Sequence, residues 1–162
     1  MNNNDRLTRL RYALDIKDED MIIIFQMGGL AVSQAELLAF LDKIPNEDRL
    51  AENEYAENLS DAAFERFLNG LIISQRGVKD GANEPALELN SQNANNLLLK
   101  KVKIALKLTS EDMLDILNLA GVELSNSELS AVLRKEGHRN YKPCGDRYAR
   151  NFLKGLAIDF RS

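Results

Sequence analysis

The chain has one cysteine, one histidine, three prolines and no tryptophan among its 162 residues. A lone cysteine excludes an intrachain disulfide, and with no signal peptide ahead of it a cytoplasmic setting is expected. No uninterrupted apolar run is longer than that from Met21 to Phe25, which is far too short to span a bilayer, so no membrane partner is expected. Aromatic residues make up only 6%, which argues against binding sugars or single strands by stacking. One Cys and one His, with no CxxC or HExxH, fall short of the usual zinc set, so neither a metal nor a cofactor is expected. Scarce proline among many Leu, Ala, Glu, Lys and Arg favours helix over sheet.

What the chain does contain is one pattern written twice. Shifted by 92 residues, Asn3, Asn4, Leu7, Ala13, Leu14, Glu19, Asp20, Met21, Ile24, Gly29, Ser33, Glu36, Leu37, Ala39, Leu41 and Lys43 each meet an identical residue. A second block, FLNGLII from Phe67 against FLKGLAI from Phe152, matches at an offset of 85, so the first copy carries seven extra residues within NEDRLAENEYAEN.

Each copy reads as four helices. Leu7, Leu10 and Leu14, like Leu99, Val102 and Leu106, recur at helical spacing. Capping boxes open later helices at Thr109-x-x-Asp112, Ser33-x-x-Glu36 and Ser125-x-x-Glu128. Gly29 and Gly121 fall where a left-handed residue would close the second helix, and Phe64, Phe67, Leu68 and Leu71 (with Phe152, Leu153 and Leu156) carry the fourth. The expectation is an all-α protein of two homologous four-helix repeats, packed with pseudo-two-fold symmetry. The first repeat spans residues 1–74 and the second 95–162, joined by a linker or ordered crossover at 75–94. Asn2, Asn3, Asn4, Asn93, Asn95 and Asn96 read as helix-start signals, and the paired acids Glu19-Asp20 and Glu111-Asp112 as first-turn charges.

The segment KEGHRNYKPCGDRYARNFLKGL, residues 135–156, holds the sole His138 and the sole Cys144. A thiolate before a helix with a nearby imidazole would make a nucleophile–base pair, but the five intervening residues fix no geometry. Traced back by 85 residues, His138 meets Asn53 and Cys144 meets Leu59, and only Asp146 recurs, as Asp61, where the N-cap of the fourth helix belongs. A buried structural cysteine and a scaffold histidine are therefore preferred, and no catalytic residue is assigned.

Charge is the distinctive feature. From Arg134 to Lys154 seven Lys and Arg face two acids, a local +5, whereas residues 42–69 carry three bases against eight acids, or −5. Lys100, Lys101 and Lys103 add to the basic side. Such a patch would bind phosphate groups of nucleic acid or of a nucleotide, or it would be a solvated face, or it would pair with the acidic stretch of the first copy within one molecule or between two. A helix-turn-helix arrangement of the second and third helices is opposed by Glu36 and Glu128 in the first turn of the would-be reading helix.

The closing motif H-R-N-Y-K-P-C-G-D-R-Y-A-R-N-F-L-K-G-L and the twin openings NNNDRLTRLRYALDI and NNLLLKKVKIALKL resemble the YehS-like bacterial proteins, a domain-of-unknown-function family numbered 1456. The resemblance covers residues 2 to 160 and implies a small bacterial protein with a duplicated helical domain and no assigned activity. Its motif falls on His138, Asn140, Tyr141, Cys144, Gly145, Asp146, Arg150, Asn151 and Phe152; in the first copy it thins to Asp61 and the FLNGL run.

Three functional readings follow. The first is a non-enzymatic binding or regulatory protein that meets a protein or nucleic-acid partner through His138, Arg139, Asn140, Tyr141, Cys144, Arg147 and Arg150. The second is an enzyme or small-anion binder centred on His138, Cys144 and Asp146, and the balance leans against it. The third is a homo-oligomeric scaffold that uses both copies.

Overall fold

The structure is a computed structural model that describes residues 1–78 and 84–161. Eight helices lie among the described residues. The first repeat has α1 (Asn3–Leu14), α2 (Asp18–Met27), α3 (Gln34–Leu41) and α4 (Asp61–Arg76). The second has α5 (Ala94–Ala105), α6 (Ser110–Leu119), α7 (Asn126–Leu133) and α8 (Asp146–Arg161). The expected two homologous four-helix repeats are present. The all-α expectation holds, with one small addition, a hairpin of β1 (Lys43–Ile44) and β2 (Glu54–Tyr55) with Lys43 opposite Tyr55. It brackets most of the acidic run in which the first repeat is longer than the second. Of the linker expected at 75–94, residues 75 and 76 extend α4, and residues 79–83 lie outside the described residues.

The helix starts follow from local chemistry. Ser33, Thr109 and Ser125 each accept the backbone N–H three residues on, while Glu36, Asp112 and Glu128 accept the cap residue's own N–H. Asn2 and Asp5 form a fourth box at the start of α1. Gly29 and Gly121 adopt positive φ after α2 and α6, where the N–H of the next residue reaches back to Phe25 or Leu117.

The repeats interlock. The most extensive contacts outside each repeat run between α1 and α8 and between α4 and α5, so each first helix packs along the other repeat's fourth. The two interfaces share one register: the Arg76 guanidinium donates to the Ile104 carbonyl at 3.2 Å, and its counterpart Arg161 donates to the Tyr12 carbonyl at 3.1 Å. Within a repeat, the second and fourth helices approach until only glycine fits. A Cβ on Gly70 would lie 1.8 Å from the Ile24 oxygen, and one on Gly155 would lie 1.9 Å from the Ile116 oxygen. The glycine of FLxGL is therefore a helix–helix contact point. Both repeats contribute to one core, which includes Leu7, Phe25, Phe64, Phe67, Leu99, Met113 and Phe152.

Part of the buried interior is polar. Asn4 donates to the Phe40 and Glu57 carbonyls at 2.9 and 2.8 Å and accepts the Leu59 N–H at 2.9 Å. Asn96 repeats the pattern with the Val132 and Lys142 carbonyls at 3.0 and 2.9 Å and the Cys144 N–H at 2.9 Å. Asn3 donates to Asp61, and Asn95 to Asp146. These four asparagines are thus clamps that hold the loop before the fourth helix, and the reading of them as helix-start signals is corrected. A local start signal needs a partner within the turn, whereas these partners lie 36 to 58 residues away. Arg6 joins the halves, donating to Asn95 and to Asn3, each at 2.8 Å.

Candidate functional site

The candidate site is the loop from Arg134 to Gly145 together with the outward face of α8. Asn96 fixes the loop's end from beneath, and the Lys142 N–H bonds the Ala131 carbonyl at 2.9 Å. His138 Nδ1 accepts the Asn140 N–H at 3.0 Å, and the Tyr141 N–H bonds the His138 carbonyl at 2.9 Å. The imidazole thus shapes the loop it sits in. His138, Arg139, Asn140, Arg147 and Arg150 are exposed, and Tyr141 is half-buried. Burial pushes the Tyr141 hydroxyl above its ordinary value, with Glu136 and Cys144 adding to the shift. Between α5 and the loop, Lys100, Arg134, Lys135 and Tyr141 help line a cleft of about 50 Å³.

Cys144 departs from its neighbours. It is buried, and burial, with the Asp146 charge, pushes its thiol up to about 12. Its backbone N–H bonds Asn96 just as the Leu59 N–H bonds Asn4, so the two are equivalent core positions. The thiol fills the space that leucine fills in the first repeat, and at neutral pH it is protonated.

Asp146 was expected at the N-cap of the fourth helix, and the structure moves it one place inward. Ser60 caps α4 through the Ala63 N–H, while Asp61 and Asp146 are the first residues of α4 and α8. Asp146 instead accepts from Asn95 and from the N-terminal ammonium of Met1, both at 2.9 Å, with Arg6 at 3.9 Å. Burial raises its carboxyl pKa, but these partners outweigh that and hold it below the ordinary range. These contacts give Asp146 an architectural role.

All seven Lys and Arg from Arg134 to Lys154 are exposed, and none is ion-paired with another described residue. Pairing with the acidic stretch of the first repeat is therefore absent among the described residues. Lys101 behaves otherwise: it meets buried Glu65 at 3.2 Å and Asn69 on α4. Glu65 also accepts the N–H groups of Glu88 and Leu89, both at 2.7 Å, and so pins the crossover segment onto α4. Sequence reasoning missed this pair because Glu65 aligns with Arg150, and only the crossover makes the first position a buried one.

No group of three or more potential metal-ligating side chains is found among the described residues, and none of their helices is long and apolar enough to cross a membrane. No solved structure matches the chain. It is 34% identical over 157 residues to the uncharacterized protein YehS of Escherichia coli (strain K12), covering 97% of this chain and 95% of that one. The family model described as "Protein of unknown function (DUF1456)" matches residues 3–77 and again 95–162. Two matches that coincide with the two structural repeats, and a relative aligned almost end to end, establish that the chain belongs to the DUF1456 family.

Proposed function

We propose that the protein is a non-enzymatic, cytoplasmic binding protein that holds an anionic macromolecular partner on the basic face of its second repeat. The observation that carries this reading is the run of seven exposed cations from Arg134 to Lys154, none ion-paired with another described residue, arrayed on a loop bonded to the core and on a helix. Arg139, Arg147 and Arg150 supply charge; His138, Asn140 and Tyr141 give the loop its shape and offer polar contacts; Cys144 supports the loop from the core. Exposed cations without internal partners keep their full attraction for an incoming anion, screened only by salt. Against the thiol-centred enzyme stands the protonated, buried state of Cys144.

The test replaces Arg139, Arg147 and Arg150 together by Glu and measures capture of a labelled DNA duplex and of poly-glutamate at low and moderate salt. The variant should lose capture of whichever polyanion the wild type binds, with its circular dichroism unchanged. Equal capture by variant and wild type would refute the assignment.

A further inference from the structure

The two interlocked interfaces share a register but not a charge pattern. Offsets of 92 for first helices and 85 for fourth helices make Lys101 equivalent to Arg9, Glu65 to Arg150 and Asn69 to Lys154. The matched contacts of Arg76 with Ile104 and of Arg161 with Tyr12 fix that equivalence in space. In one interface Lys101 lies against Glu65 and Asn69, and the crossover segment covers them. By the same equivalence Arg9, on α1, is expected beside Arg150 and Lys154 on α8, the two helices being packed together. All three are exposed, and none is ion-paired with another described residue. A neutral, covered Lys–Glu–Asn cluster on one side thus corresponds to an uncovered cluster of three cations on the other.

We propose that this α1–α8 face is a docking site for an acidic segment of a partner protein. The segment would lie on α8 as the chain's own residues 88 and 89 lie on α4. The inference rests on the reading that the basic face of the second repeat is the contact surface, and it adds Arg9, Lys154 and the class of partner. Two observations favour a short peptide over nucleic acid. The equivalent face of the first repeat holds polypeptide, with the successive backbone N–H groups of Glu88 and Leu89 both bound by Glu65. The chain is also net −4, with its acidic excess in residues 42–69, so a long polyanion crossing the molecule would meet repulsion that a short segment avoids. Three crowded cations repel one another, and a carboxylate set between them relieves that repulsion while forming charge-assisted hydrogen bonds.

The experiment uses the full chain and a fluorescein-labelled peptide of six Glu-Ser repeats, with a Lys-Ser peptide and a DNA duplex as comparisons, read by fluorescence anisotropy. The Glu-Ser peptide should bind saturably, and Arg9→Gln with Lys154→Gln should weaken it about tenfold or more. Both residues are exposed, so unchanged circular dichroism is expected of that variant. If it binds the peptide within about twofold of wild type while Arg139→Glu with Arg147→Glu abolishes capture, the three-cation site is wrong and the basic-face reading stands. Tighter binding of DNA than of peptide overturns the peptide inference and leaves the basic-face reading intact. Failure to bind either polyanion overturns both.

Discussion

Asn96 offers the sharpest test of how the fold holds its candidate site. Its amide donates to the carbonyls of Val132 and Lys142 at 3.0 and 2.9 Å, and its oxygen accepts the Cys144 N–H at 2.9 Å. Truncation to Ala leaves up to three backbone groups without partners in a buried setting, at about 1 kcal/mol or somewhat more each, or about 3–4 kcal/mol together. That is a large share of the roughly 5–15 kcal/mol that holds a domain of this size folded. Asn96→Asp should be worse at neutral pH, because the one nitrogen that makes both donations becomes a carboxylate oxygen facing two carbonyl oxygens. Burial among acceptors would raise that new carboxyl's pKa in the folded state, so the defect should shrink as pH falls and the group protonates. Urea unfolding followed by circular dichroism at pH 7 and pH 5 measures both effects, and hydrogen exchange at residues 142–144 reports whether the loop loosens first. The reasoning fails if Asn96→Ala lies within about 1 kcal/mol of wild type, or if Asn96→Asp is no worse than the alanine variant at pH 7. Asn4→Ala should match Asn96→Ala, because its three bonds are the same three.

Other perturbations follow from the same geometry. Gly155→Ala puts a Cβ 1.9 Å from the Ile116 oxygen and must force α6 and α8 apart, costing about 3 kcal/mol or more, whereas a Cβ on Gly145 meets nothing within 4 Å and Gly145→Ala should cost little; similar thermal midpoints for the two would contradict the contact. The Tyr148 hydroxyl is buried without a hydrogen-bond partner among the described residues, so Tyr148→Phe should be neutral or stabilising by about 1 kcal/mol, and a loss of stability in urea titration would count against it. Burial pushes the Asp5 carboxyl up, but hydrogen bonds from Asn53, Tyr55 and the Asn2 amide outweigh it and hold it below its ordinary value, as Asp146 is held. Both groups then stabilise the fold above about pH 4, and that contribution is lost as pH falls through their folded values. Asp5→Asn should therefore flatten the decline of the unfolding midpoint between about pH 5 and pH 2, and an unaltered slope would remove Asp5 from the account.

Much of the architecture was legible because its causes are local. Capping boxes, helical spacing and positive-φ glycines act within a turn, and duplication wrote them twice. What escaped depends on distant partners. Nothing in the period of Leu7 and Leu10 says that α1 lies along α8 rather than along its own repeat's fourth helix. Asn3, Asn4, Asn95 and Asn96 looked like start signals because their carbonyl partners sit in another part of the chain. Their identity across both copies, at buried spacing, was the available clue. For the site, the exposed cations and the core cysteine were readable from charge and from the match of Cys144 with Leu59. The contrast between the covered Glu65 and the open Arg150 was not, since it depends on which helix the crossover crosses.

Arg6 shows what duplication within one chain permits. It bonds Asn3 and Asn95, the two equivalent asparagines, while its own equivalent is Leu98, a fully buried apolar residue. A dimer of two identical half-length chains would be obliged to place the same side chain at both positions. Two guanidinium groups there would meet across the axis with too few acceptors, and two leucines would leave both asparagine oxygens without donors. Covalent fusion removes that obligation and lets one cation serve both halves. Genes split at the crossover should for that reason not yield half-chains that self-associate as the intact protein packs.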